Sequence, residues 1–100
     1  MAKIKCIIKH PEEPVGRECE IENDLETLQR IVDGYIETVS IGNNIVIICN
    51  EEGRLKDLPY NCDVLHLGFV GTIICAGVHG DEFADCPISM NVWKRLIGAV

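Results

Sequence analysis

The apolar positions change period several times along the chain, and each change marks an element. Ile4-Lys5-Cys6-Ile7-Ile8-Lys9 is a short β-rich run, stopped by His10-Pro11-Glu12-Glu13-Pro14, whose two prolines cannot continue a ladder. After Gly16, Arg17-Glu18-Cys19-Glu20-Ile21-Glu22 alternates charged with less polar residues, as a half-exposed edge strand does. Leu25, Leu28, Ile31 and Val32 then recur at helical spacing. Asn23 as N-cap, with Glu26 three residues on, completes a capping-box pattern, and Gly34 closes the helix. Its apolar stripe has to cover one face of a sheet.

From Tyr35 the period becomes two, with Tyr35, Glu37, Val39 and Ile41 on one face and Ile36, Thr38 and Ser40 on the other. Gly42-Asn43-Asn44 supplies the turn, because Gly and Asn tolerate the positive φ of tight hairpins. Ile45 to Cys49 folds back antiparallel as a nearly all-apolar central strand, ended by Asn50-Glu51-Glu52-Gly53. Arg54 to Phe69 is the least periodic stretch. Pro59, Tyr60 and Asn61 suggest an ordered loop there, and Val64-Leu65 a small apolar anchor, with little regular structure beyond a turn or short helix.

Gly71-Thr72-Ile73-Ile74-Cys75-Ala76-Gly77-Val78 reads as a second buried strand bracketed by glycines. His79-Gly80-Asp81-Glu82-Phe83-Ala84-Asp85 holds a turn or one helical turn before Pro87. Ser89 caps a last helix carrying Val92, Trp93, Leu96 and Ile97 on one side, and Gly98-Ala99-Val100 frays. The pattern predicts an α+β fold over residues 1–100 as one domain. It is a small, mostly antiparallel sheet of about five strands, with one covering helix and a C-terminal helix.

Composition narrows the function more than the fold. Nine basic against sixteen acidic residues leave a net charge of -7, which disfavours direct contact with nucleic acid, because phosphate binding needs Lys/Arg clusters. The same charge favours a basic protein surface, where complementary fields speed encounter. No apolar run reaches the ~18 residues of a membrane span, and Met1-Ala2-Lys3-Ile4-Lys5 lacks a signal peptide's apolar core, so no membrane partner and a cytoplasmic setting are expected.

The six cysteines, Cys6, Cys19, Cys49, Cys62, Cys75 and Cys86, then read as reduced thiols. Zinc sites pair ligands ~2–4 residues apart, and these cysteines are never that close, so neither a metal nor any other cofactor is expected. Cys6, Cys49 and Cys75 lie in apolar runs, where a thiol behaves as a small hydrophobe. No phosphate loop or dinucleotide fingerprint is present.

Glu51-Glu52 with Asp57 and Asp63 could pair carboxylates for acid/base work, but adjacent glutamates in a turn ordinarily face solvent. His79 beside Asp81 and Glu82 could be poised near neutral pH, yet no serine motif accompanies it, and the solvated-loop reading is preferred. Asn50 and Asn61 sit where apolar segments yield to loops, and tie those loops through side-chain to backbone hydrogen bonds. If Tyr35, Asn50, Tyr60 and Asn61 converge, two aromatics and two amides would instead suit a base-like ligand.

In order along the chain, several segments resemble a small family of unknown function. They are Asp24-Leu25-Glu26-Thr27-Leu28-Gln29, Gly34-Tyr35-Ile36-Glu37, Ile48-Cys49-Asn50-Glu51-Glu52-Gly53, Leu58-Pro59-Tyr60-Asn61 and Gly71-Thr72-Ile73-Ile74. Members are short proteins of bacteriophages, plasmids and conjugative elements of gut bacteria. The resemblance covers residues 3 to 85 and is carried most by Gly-Tyr-Ile-Glu and Cys-Asn-Glu-Glu-Gly. It implies a mobile-element setting, in which small acidic proteins often bind and disable a host protein, and it brings no activity, cofactor or catalytic residue with it.

The expected function is therefore a non-catalytic protein that binds a basic host protein through exposed acids, Glu51, Glu52, Asp81 and Glu82 among them. An inhibitor of a nucleic-acid-guided defence nuclease, with its basic channel, fits that description. The alternative is a module sequestering a nucleotide-like signal at Tyr35, Asn50, Tyr60 and Asn61, and a hydrolase built on His79 comes third. Edge strands in so small a sheet leave pairing of two copies across a two-fold axis open.

Overall fold

A computed structural model of the chain describes residues 3–99; Met1 and Ala2 of the leading segment and Val100 of the terminal one lie outside the described residues. The elements run β1 (Lys3–Lys9), β2 (Arg17–Glu22), α1 (Leu25–Val32), β3 (Ile36–Gly42), β4 (Ile45–Asn50), β5 (Tyr60–Val64), β6 (Leu67–Val70), β7 (Ile73–His79), β8 (Glu82–Ala84) and α2 (Met90–Leu96). The fold is α+β. A six-stranded sheet has the order β2-β1-β7-β4-β3, with β8 also on β7, and β5 and β6 form a separate hairpin. All strand pairs are antiparallel.

The central strands are almost wholly apolar because both faces of the sheet are covered. Alternate residues of β1, β4 and β7 serve opposite layers, as the period of two requires. Ile4, Cys6, Ile8, Ile48, Ile74 and Ala76 pack under Leu28 and Val32 of α1. Ile7, Ile47, Cys49, Ile73 and Cys75 face the other way, against Trp93 of α2 and Val64 and Phe69 of the β5–β6 hairpin. Trp93 is fully enclosed, and its indole Nε1 donates to Val15 O at 2.8 Å, pinning the loop before β2. Cys6, Cys49 and Cys75 are buried in these layers as the apolar runs imply.

β2 is an outer strand, and the β3–β4 hairpin turns at Asn43-Asn44, with Asn44 at φ 61°. Five local expectations need correction. The α1 N-cap is Asp24, whose carboxylate accepts from Thr27 N at 2.7 Å. This start, one residue later, leaves Glu26 outside the capping box, and Asn23 instead donates from Nδ2 to Phe83 O at 3.0 Å. The helix closes on Asp33 in the left-handed conformation at φ 63°, with the Gly34 N–H following to Gln29 O.

Leu25, counted in the apolar stripe, is 57% exposed, because the helix begins there and its first turn overhangs the core. The segment 54–69 is not mainly loop: it holds β5 and the start of β6. That hairpin turns on Leu65 and His66, at φ 50° and 72°, a turn that ordinarily demands Asn or Gly and so left no signal. Finally, residues 82–84 form a strand, because β7 runs on to His79 and Gly80, at φ 64°, reverses the chain onto it.

Candidate functional site

The two asparagines are spent on the backbone. Asn50 Nδ2 donates to Val32 O and Asp33 O, each at 3.0 Å, and its Oδ1 accepts from Glu52 N at 2.8 Å. One side chain thus joins the end of α1 to the turn after β4. Asn61 Nδ2 donates to Lys9 O at 2.8 Å and Gly71 O at 2.7 Å, while its Oδ1 accepts from Lys9 Nζ at 2.8 Å. Lys9 is only 3% exposed, so an ammonium group lies enclosed with a neutral amide oxygen as its hydrogen-bond acceptor.

The acidic turn after β4 borders a cleft of about 180 Å³. Val39, Cys49 and Phe69 form its apolar part, and Glu37, Glu51, Glu52 and Arg54 its charged part. Arg54 Nη2 donates to Gly68 O at 2.9 Å, and Glu52 stands 3.9 Å from Lys56, so cations already sit among these acids. Burial, with Glu37 nearby, pushes the Cys49 thiol up to about 11, which keeps it protonated at neutral pH. The volume is below the ~300 Å³ at which small-molecule sites usually begin.

A second cleft, of about 360 Å³, opens between the start of α1 and the β7–β8 turn. Asn23, Asp24 and Leu25 form one wall and Asp81, Glu82 and Phe83 the other, with Leu28 beneath. The Asn23–Phe83 hydrogen bond holds the walls together. Glu26 follows on the exposed side of α1, and Asp85 lies just past β8, its Oδ1 accepting from Lys5 N at 2.8 Å. The Thr27 amide bonded to Asp24 lowers that carboxyl below its ordinary range. Lysines offset the neighbouring glutamates of β2, since Lys3 lies opposite Glu22 and Lys5 opposite Glu20. Among the described residues the single ion pair is Lys56–Glu52, far along the chain from this cleft.

The structure therefore divides the residues singled out in the sequence. Asn50, Glu51 and Glu52 meet at the first cleft, and Asp81 and Glu82 at the second. Tyr35, Tyr60 and Asn61 line neither. Tyr35 and Tyr60 are 67% and 60% exposed, and the Tyr60 hydroxyl donates to Asp63 Oδ1 at 2.5 Å, which raises the phenol above its usual range. His79 is exposed at the end of β7. Sequence reasoning overlooked the enclosed Lys9, the last residue of the first β-rich run, and Asp24 and Leu25 as cleft walls. It also overlooked the 2.7 Å contact between His10 Nδ1 and Thr72 Oγ1 that ties the end of β1 to the start of β7.

A family model described as Domain of unknown function (DUF3846) matches residues 4–97. The chain belongs to this family. The match runs from β1 through α2, so both clefts and the Lys9–Asn61 contact fall inside the DUF3846 region. Neither the curated proteins nor the solved structures hold a match to the chain. No helix among the described residues of this DUF3846 protein is long and apolar enough to cross a membrane.

Proposed function

We propose that this DUF3846 protein works by binding rather than catalysis, and that its acidic cleft between α1 and the β7–β8 turn receives a basic side chain of a partner protein. One observation carries the reading. Asp24, Asp81 and Glu82 line the cleft with the exposed Leu25, Glu26 follows on the exposed side of α1, and among the described residues no ion pair involves any of them. Acids around an apolar floor match a lysine or arginine, whose aliphatic stem buries while its charged head meets carboxylates. The net acidic field also raises the encounter rate with a basic surface.

The mobile-element setting implied by the sequence resemblance makes a host protein the partner. A nucleic-acid-guided nuclease, which holds its heteroduplex in a positively charged channel, is a target of the right charge. The amide–tyrosine pocket draws less support, because the hydrogen bonds of Asn50 and Asn61 are already committed to the fold.

The test is a pull-down of the tagged protein from host lysate, followed by binding of the recovered partner across a salt series. The double variant Asp81→Lys with Glu82→Lys should weaken binding at least tenfold at ~0.01 M salt, where fields reach ~30 Å, and far less at ~1 M. Glu51→Lys with Glu52→Lys is the control and should weaken it less. Unchanged affinity in the first variant at low salt refutes this assignment of the site.

A further inference from the structure

We propose that Cys75 and Cys86 form a redox-active dithiol, an oxidation site for hydroperoxides at which Cys86 is the attacking sulfur and Cys75 the resolving one. The two Sγ atoms stand 3.7 Å apart, although eleven residues separate them in sequence. Disulfide formation needs them to close to ~2.05 Å. Cys75 is fixed at the centre of β7 with no exposed surface. Cys86 is half-buried in the irregular segment between β8 and α2, so the adjustment falls on the part of the chain outside helix and sheet.

The two thiols have different environments. The hydrogen bond from Cys75 draws the Cys86 thiol down to about 7, against the opposing effects of burial and of the Glu18 carboxylate on β2. Cys75 moves the other way, through that same bond and through burial. Cys6, opposite Cys19 on β2, is pushed up to about 12 by burial and by its thiol neighbours, which leaves it a poor nucleophile. Oxidation susceptibility follows thiolate character and access, and within the pair both favour Cys86 over the buried Cys75.

The chemistry balances in two steps. The Cys86 thiolate attacks the terminal oxygen of ROOH, an S–O bond forms as O–O breaks, and the departing alkoxide takes a proton to leave as ROH. Cys75 sulfur then attacks the sulfenic sulfur of Cys86; S–S forms, S–O breaks, and the Cys75 proton leaves with the hydroxide as water. The sum is two thiols plus ROOH giving one disulfide, ROH and water. An external dithiol reverses the oxidation by exchange.

The experiment treats the full chain at neutral pH with one equivalent of hydrogen peroxide, then alkylates it in denaturant and maps peptides by mass spectrometry. The free-thiol count should fall from the six present to four, with Cys75 joined to Cys86, and dithiothreitol should restore all six. In Cys75→Ser the resolving thiol is missing, so dimedone should trap a sulfenic acid on Cys86. Should that variant not fold, peptide mapping of the unaltered chain decides alone. A bridge between Cys6 and Cys19, a link between two chains, or six thiols surviving would each overturn the proposal.

Discussion

Replacing Asn61 by alanine removes the hydrogen-bond acceptor that faces the enclosed Lys9 ammonium group, together with two bonds to Lys9 O and Gly71 O. A hydrogen bond to a charged group is worth ~1.5–3 kcal/mol, and each neutral one ~1 kcal/mol. Their sum, about 4 kcal/mol, is a large share of the ~5–15 kcal/mol that holds a domain folded. At ~4–8 °C per kcal/mol for a chain of this size, the midpoint should drop by at least ~15 °C. Trp93 is the sole tryptophan and is enclosed, so its fluorescence reports unfolding in urea directly.

The decisive comparison adds Lys9→Met. Removing both members of a polar contact costs less than stranding one of them, so Asn61→Ala with Lys9→Met should recover at least ~1.5 kcal/mol relative to Asn61→Ala alone. The denaturant slope should stay constant, showing that the folded and unfolded ensembles are otherwise unaltered. A loss below ~1 kcal/mol for Asn61→Ala, or a double variant no more stable than the single one, would show that the Lys9–Asn61 contact is not what stabilises this junction.

Two further outcomes follow from backbone geometry. Leu65 and His66 hold φ of 50° and 72°, where residues other than glycine cost ~1–2 kcal/mol each, so Leu65→Asn with His66→Gly should raise stability by ~1–2 kcal/mol in the same urea assay. No gain would mean that Leu65 contributes packing that offsets the strain. A Cβ at Gly77 would strike the backbone carbonyl of Asp85, so Gly77→Ala should destabilise by ~1–3 kcal/mol and raise amide exchange in β8 above that in β1. Unchanged exchange in β8 would contradict that close approach.

The fold was legible wherever burial imposes a period on the chain. The apolar runs of β1, β4 and β7, the spacing of Leu28 and Val32, and the Asn43-Asn44 turn each announce themselves within a few residues. The β5–β6 hairpin was not legible, because a Leu-His turn carries no turn chemistry and only Cys62, Val64 and Phe69 of its strands pack on the core. The start of α1 shifted by one residue for a related reason. Asn23 and Asp24 are both competent caps, and what separates them is Phe83 O, sixty residues away, which takes the Asn23 amide.

The candidate site follows the same division between local and distant causes. Glu51 and Glu52 announce a charged turn, but Arg54 and Lys56 arrive with them in the same turn and cancel much of its field. Asp81 and Glu82 look no more informative on their own. They come to line a cleft only because β8 folds back along β7 and places them across from Asp24 and Leu25, which lie more than fifty positions earlier in the chain. Cys75 and Cys86 behave alike: spacing argues against a metal pair, while β7 and the segment after β8 set their sulfurs 3.7 Å apart. Chemistry here depends on which segments the sheet order makes neighbours. A period-based reading therefore recovers the layers of this protein before it recovers the groups those layers bring face to face.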